Sequence, residues 1–323
     1  MVDKNYLRVF PYTDSDAELW DKFIAEAPMA TFLHTRRYLS YHADRFQDVS
    51  LLIKDERSQL IGLFLAAVDP INSKRVVSHP GITYGGVLHT GHLLGEQMIQ
   101  AFKIVLEYYK NREFEQLRYK AIPYIYHQYP LADDLYALFH LGAVRYRCDL
   151  SCAIDLTNRR EPSQRRQRSL KKALKQGIKV KEGAEDIGNL WLLIEENLAR
   201  KMGQLPVHSL DEITYLHSLF PKNINFYIAI SNSEIVAGVV LFSISTVVRT
   251  QYIASSLIGY DLSALDAIFE LCIEKAKTKG SRYFDFGTSN QNEGKSLAAS
   301  LYKFKSEFGG SGVLHEFYEM TLK

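Results

Sequence analysis

The sequence predicts an α/β (α+β) protein built from two tandem units, each a mixed, mainly antiparallel sheet flanked by helices. Three observations support this fold class. The chain has 323 residues, which is long for one hydrophobic core and suits two domains of about 150 residues each. Hydrophobic residues make up 46% of the chain and charged residues 24%, as is typical of folded globular proteins. The same order of predicted elements also occurs twice along the chain.

The first unit is predicted over residues 1–158. Two apolar runs around a polar turn indicate a β-hairpin, and an amphipathic helix follows a Gly-rich loop. The predicted elements are a helix (19–27), the hairpin strands (49–54 and 60–68), a third strand (75–78), the Gly-rich loop (80–86), the amphipathic helix (94–109) and a last strand (116–120). The order is therefore hairpin, strand, loop, helix, strand.

The second unit, predicted over residues 184–323, repeats this order. The predicted elements are the hairpin strands (225–230 and 235–242), a third strand (247–254), a loop (255–263), a helix that starts near 265 and ends at Lys279-Gly280, and a last strand (281–286). A cation followed by Gly is a common helix stop signal. Because the order is duplicated, we expect two copies of one unit with an active groove between them.

A basic connector is predicted between the units, at 159–183. It carries ten Lys/Arg residues against two acids, and it contains a predicted helix with Ser163 as N-cap and Gly177 just past its end. Two interpretations stay open, a solvated linker helix or an arm that binds phosphates. The sparse aromatic residues do not indicate base stacking. The phosphate-binding candidates are Arg165, Arg166, Arg168, Lys171 and Lys172.

Charge, cysteine usage and hydropathy exclude several classes of protein. The net charge of +2 creates no global field for a nucleic acid or an anionic membrane. Three cysteines without metal-ligand spacing predict buried small side chains in a reducing cytoplasm, and no metal site. The start of the chain has no signal-peptide pattern, and the longest apolar runs are too short to cross a bilayer. We expect no integral membrane segment.

Three segments resemble the FemABX-like proteins of the GNAT superfamily. The strand-and-turn run 283–290 and the helical run 301–310, with Phe-Lys-x-x-Phe-Gly at 304–309, are similar to the closing signature of that family. Residues 31–42 are similar to its short N-terminal substrate-side motif, and the basic connector also matches. The resemblance implies tandem acetyltransferase-like domains that join an acyl or aminoacyl group to an amine. The loop 78–86 is similar to an acetyltransferase-like subgroup associated with envelope polysaccharide genes.

The resemblance implies a function in the synthesis of the cell envelope. We expect an acyl- or aminoacyltransferase that forms an amide on an amine of a nucleotide- or lipid-linked precursor. The co-substrate is aminoacyl-tRNA or acyl-CoA, with no tightly bound cofactor, and tRNA is a candidate partner. The enzyme is expected in the cytoplasm, with the inner membrane face as an alternative location. Two alternatives stay open: an acetyl-CoA-dependent N-acetyltransferase of an amino sugar, and a non-catalytic RNA-binding protein with this fold.

The predicted catalytic residues lie in the second unit. Asp285 ends a strand beside a Gly-Thr-Ser turn, where it can orient an amine or accept its proton. Its alternative is a structural role, in which it caps the turn or pairs with a nearby Lys. Lys305 lies between aromatic residues, and the family resemblance implies that it stabilises the oxyanion or the donor, with an ordinary surface Lys as the alternative. Asp261 occupies the position where an acetyl-CoA pyrophosphate would lie, which disfavours that donor. The further substrate-binding candidates of this unit are Tyr252, Thr288, Ser289 and Lys303.

The first unit is predicted to bind the acceptor. His42 and Arg45 share one face of a helical segment at spacing i, i+3, within or next to the substrate-side motif. His79 and Tyr84 flank the Gly-rich turn, which can approach a ligand closely. Each histidine has a structural role as its alternative. The last candidates of this unit are the cations Arg118 and Lys120, which alternate along a strand as a phosphate clamp or as an ordinary polar sheet face.

Overall fold

The computed structural model describes residues 7–322, and the chain divides into two compact units, described here one at a time. The first unit comprises the chain up to Asp149, the short segment Asn292–Ser296 and the chain from Leu314 onward; the second comprises Leu150–Gln291 and Leu297–Val313. The division falls at Asp149 and not near residue 158. The basic segment 159–183 is part of the second unit.

The helices and strands follow the predicted order in both parts of the chain. Up to residue 155 they are β1 (Arg8–Pro11), α1 (Ala17–Glu26), α2 (Arg36–Leu39), β2 (Leu51–Lys54), β3 (Leu60–Phe64), β4 (Ala67–Asp69), β5 (Asn72–Val77), β6 (Val87–His89), α3 (Glu96–Lys110), β7 (Gln116–Lys120), α4 (Asp133–His140) and β8 (Val144–Asp155).

From residue 156 onward the elements are α5 (Gln164–Lys175), β9 (Lys179–Glu182), α6 (Ile187–Met202), α7 (Leu210–Leu219), β10 (Ile224–Ser231), β11 (Glu234–Ile244), β12 (Val247–Ser255), α8 (Leu257–Asp261), α9 (Ala264–Thr278), β13 (Tyr283–Thr288), β14 (Asn290–Gln291), β15 (Ser296–Leu297), α10 (Ala299–Ser306) and β16 (Ser311–Thr321). The predicted loop 255–263 thus contains the short helix α8. Its first turn is capped by Ser256, whose side chain accepts a hydrogen bond from the Gly259 N–H.

The first unit contains two sheets. One has the strand order β1-β2-β3-β6, and its described pairs are all antiparallel. The other contains β4, β5, β7 and β16 in that order, with β5 and β7 parallel and the other pairs antiparallel. The predicted single strand 60–68 is therefore two strands, β3 and β4, in different sheets. Helix α3 buries Phe102, Val105 and Tyr109 completely in the core of this unit.

The second unit has one mixed sheet in the order β9-β10-β11-β12-β13-β8. Only β12 and β13 run parallel among its described pairs, as expected for two strands joined through the helix α9. The apolar face of α9 packs on the sheet through Ile268, Phe269 and Cys272. The ring of Phe269 contacts the ring of Phe304 on α10 edge-on, so α10 packs against the same core.

Helix α5 forms as predicted from its start and stop signals. The Ser163 side chain accepts a hydrogen bond from the Arg166 N–H, and Gly177 follows the helix with φ +71°. The helix packs against α9, because the buried Arg166 guanidinium donates to Asp266 at 2.9 Å. Burial raises the pKa of Asp266 to about 6, against the lowering effect of Arg166. The basic helix is therefore anchored in the second unit by a buried ion pair.

No helix within residues 7–322 combines the length and the apolar character that a membrane crossing requires. The prediction of a mixed α/β fold with mainly antiparallel sheets is confirmed.

Candidate active site

The parallel strands β12 and β13 separate soon after they meet. They pair only over Val247–Arg249 and Tyr283–Asp285. Beyond this point β12 has a bulge opposite Val240 and Leu241, where Gln251 has no counterpart on β11. Bulges bend a strand and change the direction of its side chains. A wedge-shaped gap therefore opens between the two strand ends.

A cavity of about 610 Å³ occupies this gap. Strands β12 and β13, the end of α6, the end of α8, the start of α9 and helix α10 all contribute to its wall. The polar side chains that line it are Asn197, Lys201, Arg249, Thr250, Gln251, Tyr260, Thr288, Gln291, Ser300 and Lys305. Leu265, Phe286 and Phe304 provide apolar wall. A concave, partly apolar cavity with a few convergent polar groups is the usual form of a ligand site.

Lys305 brings a buried cation to the cavity. Its side chain is 3% exposed, and its Nζ donates to the carbonyl oxygens of Gly287 at 2.9 Å and Thr288 at 2.7 Å. Burial lowers the pKa of Lys305 to about 8, and the nearby Asp285 opposes that shift. The group is thus mostly an ammonium at neutral pH. An ammonium has three N–H donors, so one donor remains after the hydrogen bonds to the two carbonyl oxygens.

Asp285 supports the turn that carries these carbonyls. The carboxylate accepts hydrogen bonds from the Ser151 hydroxyl and, at 2.9 Å, from the Gly287 N–H. The side chain is completely buried and is not part of the cavity wall. Gly287 has φ +74°, a conformation that favours glycine, and this lets the turn present two carbonyls to Lys305. The contacts of Asp285 are those of a positioning residue, and its predicted catalytic role stays a prediction.

The other predicted residues of the second unit occupy different environments. Thr288 lines the cavity, and Lys303 is exposed on α10. Ser289 is buried, and its N–H donates to the Leu150 carbonyl. Tyr252 lies outside the cavity wall: its ring packs against Trp191, and its hydroxyl is 2.7 Å from Nδ1 of His208.

The first unit brings His42 and His79 together. Their ring centroids are 5.3 Å apart, and Nε2 of His42 lies 3.0 Å from the carbonyl oxygen of Gly81. Burial, reinforced by the neighbouring His42, lowers the pKa of His79 well below its usual value, so His79 is neutral at pH 7. Tyr84 is almost completely buried against Tyr126. The Nε–H group of Arg45 donates to the His42 carbonyl.

The predicted phosphate clamp of the first unit is engaged in protein contacts. Arg118 and Lys120 do share one face of β7, as the alternation predicts. However, Arg118 pairs with Glu319 at 2.7 Å, and the Lys120 ammonium donates to the carbonyl oxygens of His79 and Ile82. Lys120 therefore holds the Gly-rich loop in place. These contacts favour the alternative of an ordinary polar sheet face, and the phosphate clamp stays a prediction.

Four of the five predicted phosphate-binding residues are exposed on α5. Arg166 is the exception, because its guanidinium is 6% exposed and pairs with Asp266 and Glu307. The prediction of phosphate binding is therefore kept for the four exposed cations, Arg165, Arg168, Lys171 and Lys172.

The loop expected to receive an acetyl-CoA pyrophosphate has a different structure. The Ser256 side chain already accepts from the Gly259 N–H at the start of α8. Gly259 is packed so tightly that an added Cβ would lie 2.1 Å from the Val236 carbonyl oxygen. Leu257 and Ile258 are exposed apolar side chains, 68% and 55% respectively. The Gly259 N–H is thus already engaged, and the expectation drawn from Asp261 stays a prediction.

Residues 7–322 contain no cluster of three or more His, Cys, Asp or Glu side chains that could hold a metal ion. Burial raises the pKa of Cys152 to about 12, so its thiol stays protonated.

Comparisons with known proteins agree with this fold. Residues 157–303 match the family of the acetyltransferase (GNAT) domain. The crystal structure of FemX is similar at a TM-score of 0.67 and 11% identity, over 97% of this chain and 96% of that chain. The structure of L-PGS from Bacillus licheniformis is similar at a TM-score of 0.61 and 12% identity, over 95% of this chain and 91% of that chain. No curated protein matches the sequence.

A third similar structure is a tandem GNAT protein from the clavulanic acid biosynthesis pathway. Its TM-score is 0.53 at 9% identity, over 98% of this chain and 99% of that chain. The fold is therefore shared with FemX and with a tandem GNAT protein, and the predicted resemblance is confirmed for the fold. The domain match also bears out the prediction of an acyltransferase.

Proposed function

We propose that this protein transfers an acyl or aminoacyl group to an amine of a nucleotide- or lipid-linked precursor of the cell envelope. The observation that carries the proposal is the Lys305 ammonium, buried in the wall of the cavity between β12 and β13. Such a group stabilises the negative charge that develops on a carbonyl oxygen when an amine attacks it. The similarity of the fold to FemX and L-PGS supports the choice of envelope chemistry.

The reaction proceeds through a tetrahedral intermediate. The amine nitrogen attacks the acyl carbon, and an electron pair moves onto the carbonyl oxygen. The remaining Lys305 N–H donates to this oxyanion, while the Asp285-supported turn holds the ammonium in place. Collapse of the intermediate breaks the bond to the leaving group, a ribose hydroxyl or a thiol. The proton lost by the amine returns to that leaving group.

Aminoacyl-tRNA is the donor that the structure of the second unit favours. The short helix α8 offers its N-terminal Gly259 N–H to Ser256, and Asp261 is exposed beside it. Both features disfavour the pyrophosphate of coenzyme A. The exposed cations of α5, such as Arg165 and Lys172, supply charge for a phosphate backbone. The acceptor is proposed to bind the first unit, near His42 and His79.

The second candidate is an acetyl-CoA-dependent N-acetyltransferase of an amino sugar, which the match to the acetyltransferase family favours. Transfer assays discriminate the two donors: alanyl-tRNA and acetyl-CoA are each offered with a UDP-linked muramoyl peptide or a UDP-linked amino sugar. Calorimetric titration with acetyl-CoA complements the assay. Tight binding of acetyl-CoA, with transfer from it alone, would replace the first candidate by the second.

The basic helix has its own test. Replacing Arg165, Arg168, Lys171 and Lys172 by Gln is expected to weaken tRNA binding and to reduce its salt dependence, because each lost phosphate contact lowers the slope. The matched control replaces exposed Lys222 and Lys295 by Gln, outside the helix. Equal tRNA binding by the quadruple variant and the wild type would contradict a role of α5 in donor binding.

A further inference from the structure

Thr250 places a buried hydroxyl in the wall of the cavity. The residue is 5% exposed, and its Oγ1 has no hydrogen-bond partner within the described part of the chain. A buried hydroxyl without a partner costs about 1–3 kcal/mol, so proteins rarely retain one without a reason. Valine has nearly the same shape and would avoid that cost. The hydroxyl therefore points to a ligand that supplies the missing hydrogen bond.

The strand register places this hydroxyl on the same side of the sheet as α10. Thr250 is directly opposite Leu241 on β11, and residues opposite each other project from the same face. Leu241 belongs to the apolar core under α9, against which Phe304 of α10 also packs. Thr250 and Lys305 line the same cavity.

The Gly287 turn lies close to both groups. A Cβ added at Gly287 would lie 3.7 Å from the Thr250 carbonyl oxygen, while the Gly287 carbonyl accepts from Lys305 Nζ at 2.9 Å. The backbone of Thr250 and the ammonium of Lys305 are thus both neighbours of one residue. Thr250 and Lys305 therefore lie on the same stretch of the cavity wall.

We propose that the Thr250 hydroxyl donates the second hydrogen bond to the oxyanion in the acyl transfer, with Lys305 as the first donor. This inference rests on the proposed function. As the amine–carbon bond forms, the carbonyl electron pair becomes an oxyanion that accepts from both groups. When the carbon–leaving group bond breaks, the carbonyl re-forms and the hydroxyl keeps its proton. Thr250 therefore stabilises charge and transfers no atom.

The test compares Thr250→Val with Thr250→Ser. Valine removes the donor and keeps the shape, whereas serine keeps the donor. With alanyl-tRNA and acetyl-CoA as probe donors, the Val variant is expected to lose about 100-fold in kcat with KM nearly unchanged. The Ser variant is expected to stay within a few-fold of the wild type. Thermal unfolding separates the functional role from a structural one: the Val variant should melt at or above the wild-type temperature, since it buries no unsatisfied hydroxyl.

The possible outcomes are distinct. If Thr250→Val transfers at the wild-type rate while Lys305→Met does not, Thr250 is not an oxyanion donor and the proposed function stands. A Val variant that melts well below the wild type would show a structural role and overturn the inference. If the wild-type protein transfers an acyl group from neither donor, to an amine or to water, the proposed function fails together with the inference.

Discussion

Replacing Lys305 by Met tests the electrostatics of the cavity without knowledge of the substrate. The folded protein holds the pKa of Lys305 at about 8, whereas the usual value is 10.5. The difference of roughly 2.5 units corresponds to about 3 kcal/mol. Between these two pH values the unfolded chain binds the extra proton, so the wild type gains stability as the pH rises. The Met variant lacks this gain.

Chemical denaturation with urea at pH 7 and pH 10 measures the effect. The wild-type free energy of unfolding, relative to that of the variant, is expected to be about 2–3 kcal/mol higher at pH 10 than at pH 7. Titrations elsewhere in the protein cancel in this comparison. At pH 7, Lys305→Met removes the cost of a buried charge, but it also leaves the Gly287 and Thr288 carbonyl oxygens without their donor. These two effects on the free energy of unfolding offset each other. A difference between the two proteins that does not change with pH would refute the assignment of a buried, pKa-lowered ammonium.

The pH dependence of wild-type activity should follow the protonation of Lys305. If the charged form of Lys305 stabilises the oxyanion, kcat is expected to fall as the pH rises through about 8, and the Met variant should be about 100-fold or more slower at pH 7 without that decline. Arg166→Ala is expected to cost about 3–5 kcal/mol of unfolding free energy in urea, because it leaves buried acids without their cation, whereas exposed Arg168→Ala should change it by less than about 0.5 kcal/mol. Gly259→Ala should lower the melting temperature, because the new Cβ would be forced against a backbone carbonyl. Gly188 has open space around it, so Gly188→Ala should leave the melting temperature unchanged or raise it. Equal melting temperatures of these two variants would contradict the packing described for α8.

The repeated order of elements could be predicted because it depends on local patterns. Strand β7 coincides with its prediction at 116–120, where buried Leu117 and Tyr119 alternate with the cations. Helix α5 begins and ends at its predicted cap signals. These features follow from side-chain periodicity and capping, which act within a few residues. The fold class was therefore accessible from the sequence alone.

Features set by distant partners could not be predicted in this way. The bulge at Gln251 sets the register in which Thr250 is opposite Leu241, and nothing in its neighbours along the chain signals a bulge. The Ser151 hydroxyl that holds Asp285 comes from β8, 134 residues earlier. The ion pair between Arg166 and Asp266 likewise removes one cation from a helix whose sequence indicates a uniformly basic surface. In each case the contact that determines the local structure joins residues far apart in the sequence. The burial of Lys305, by contrast, could be predicted from the aromatic residues that flank it in the sequence.

The residues from Leu314 onward belong to the first unit, and this affects how the chain is made. Strand β16 pairs with β7 through Phe317–Thr321 opposite Gln116–Lys120. A ribosome must therefore translate the second unit before the edge of β7 is covered. Until then the nascent first unit presents an open strand edge, a template for aggregation. Expression of a fragment that stops at Asp149 should accordingly yield insoluble material unless the missing strand is supplied as a peptide.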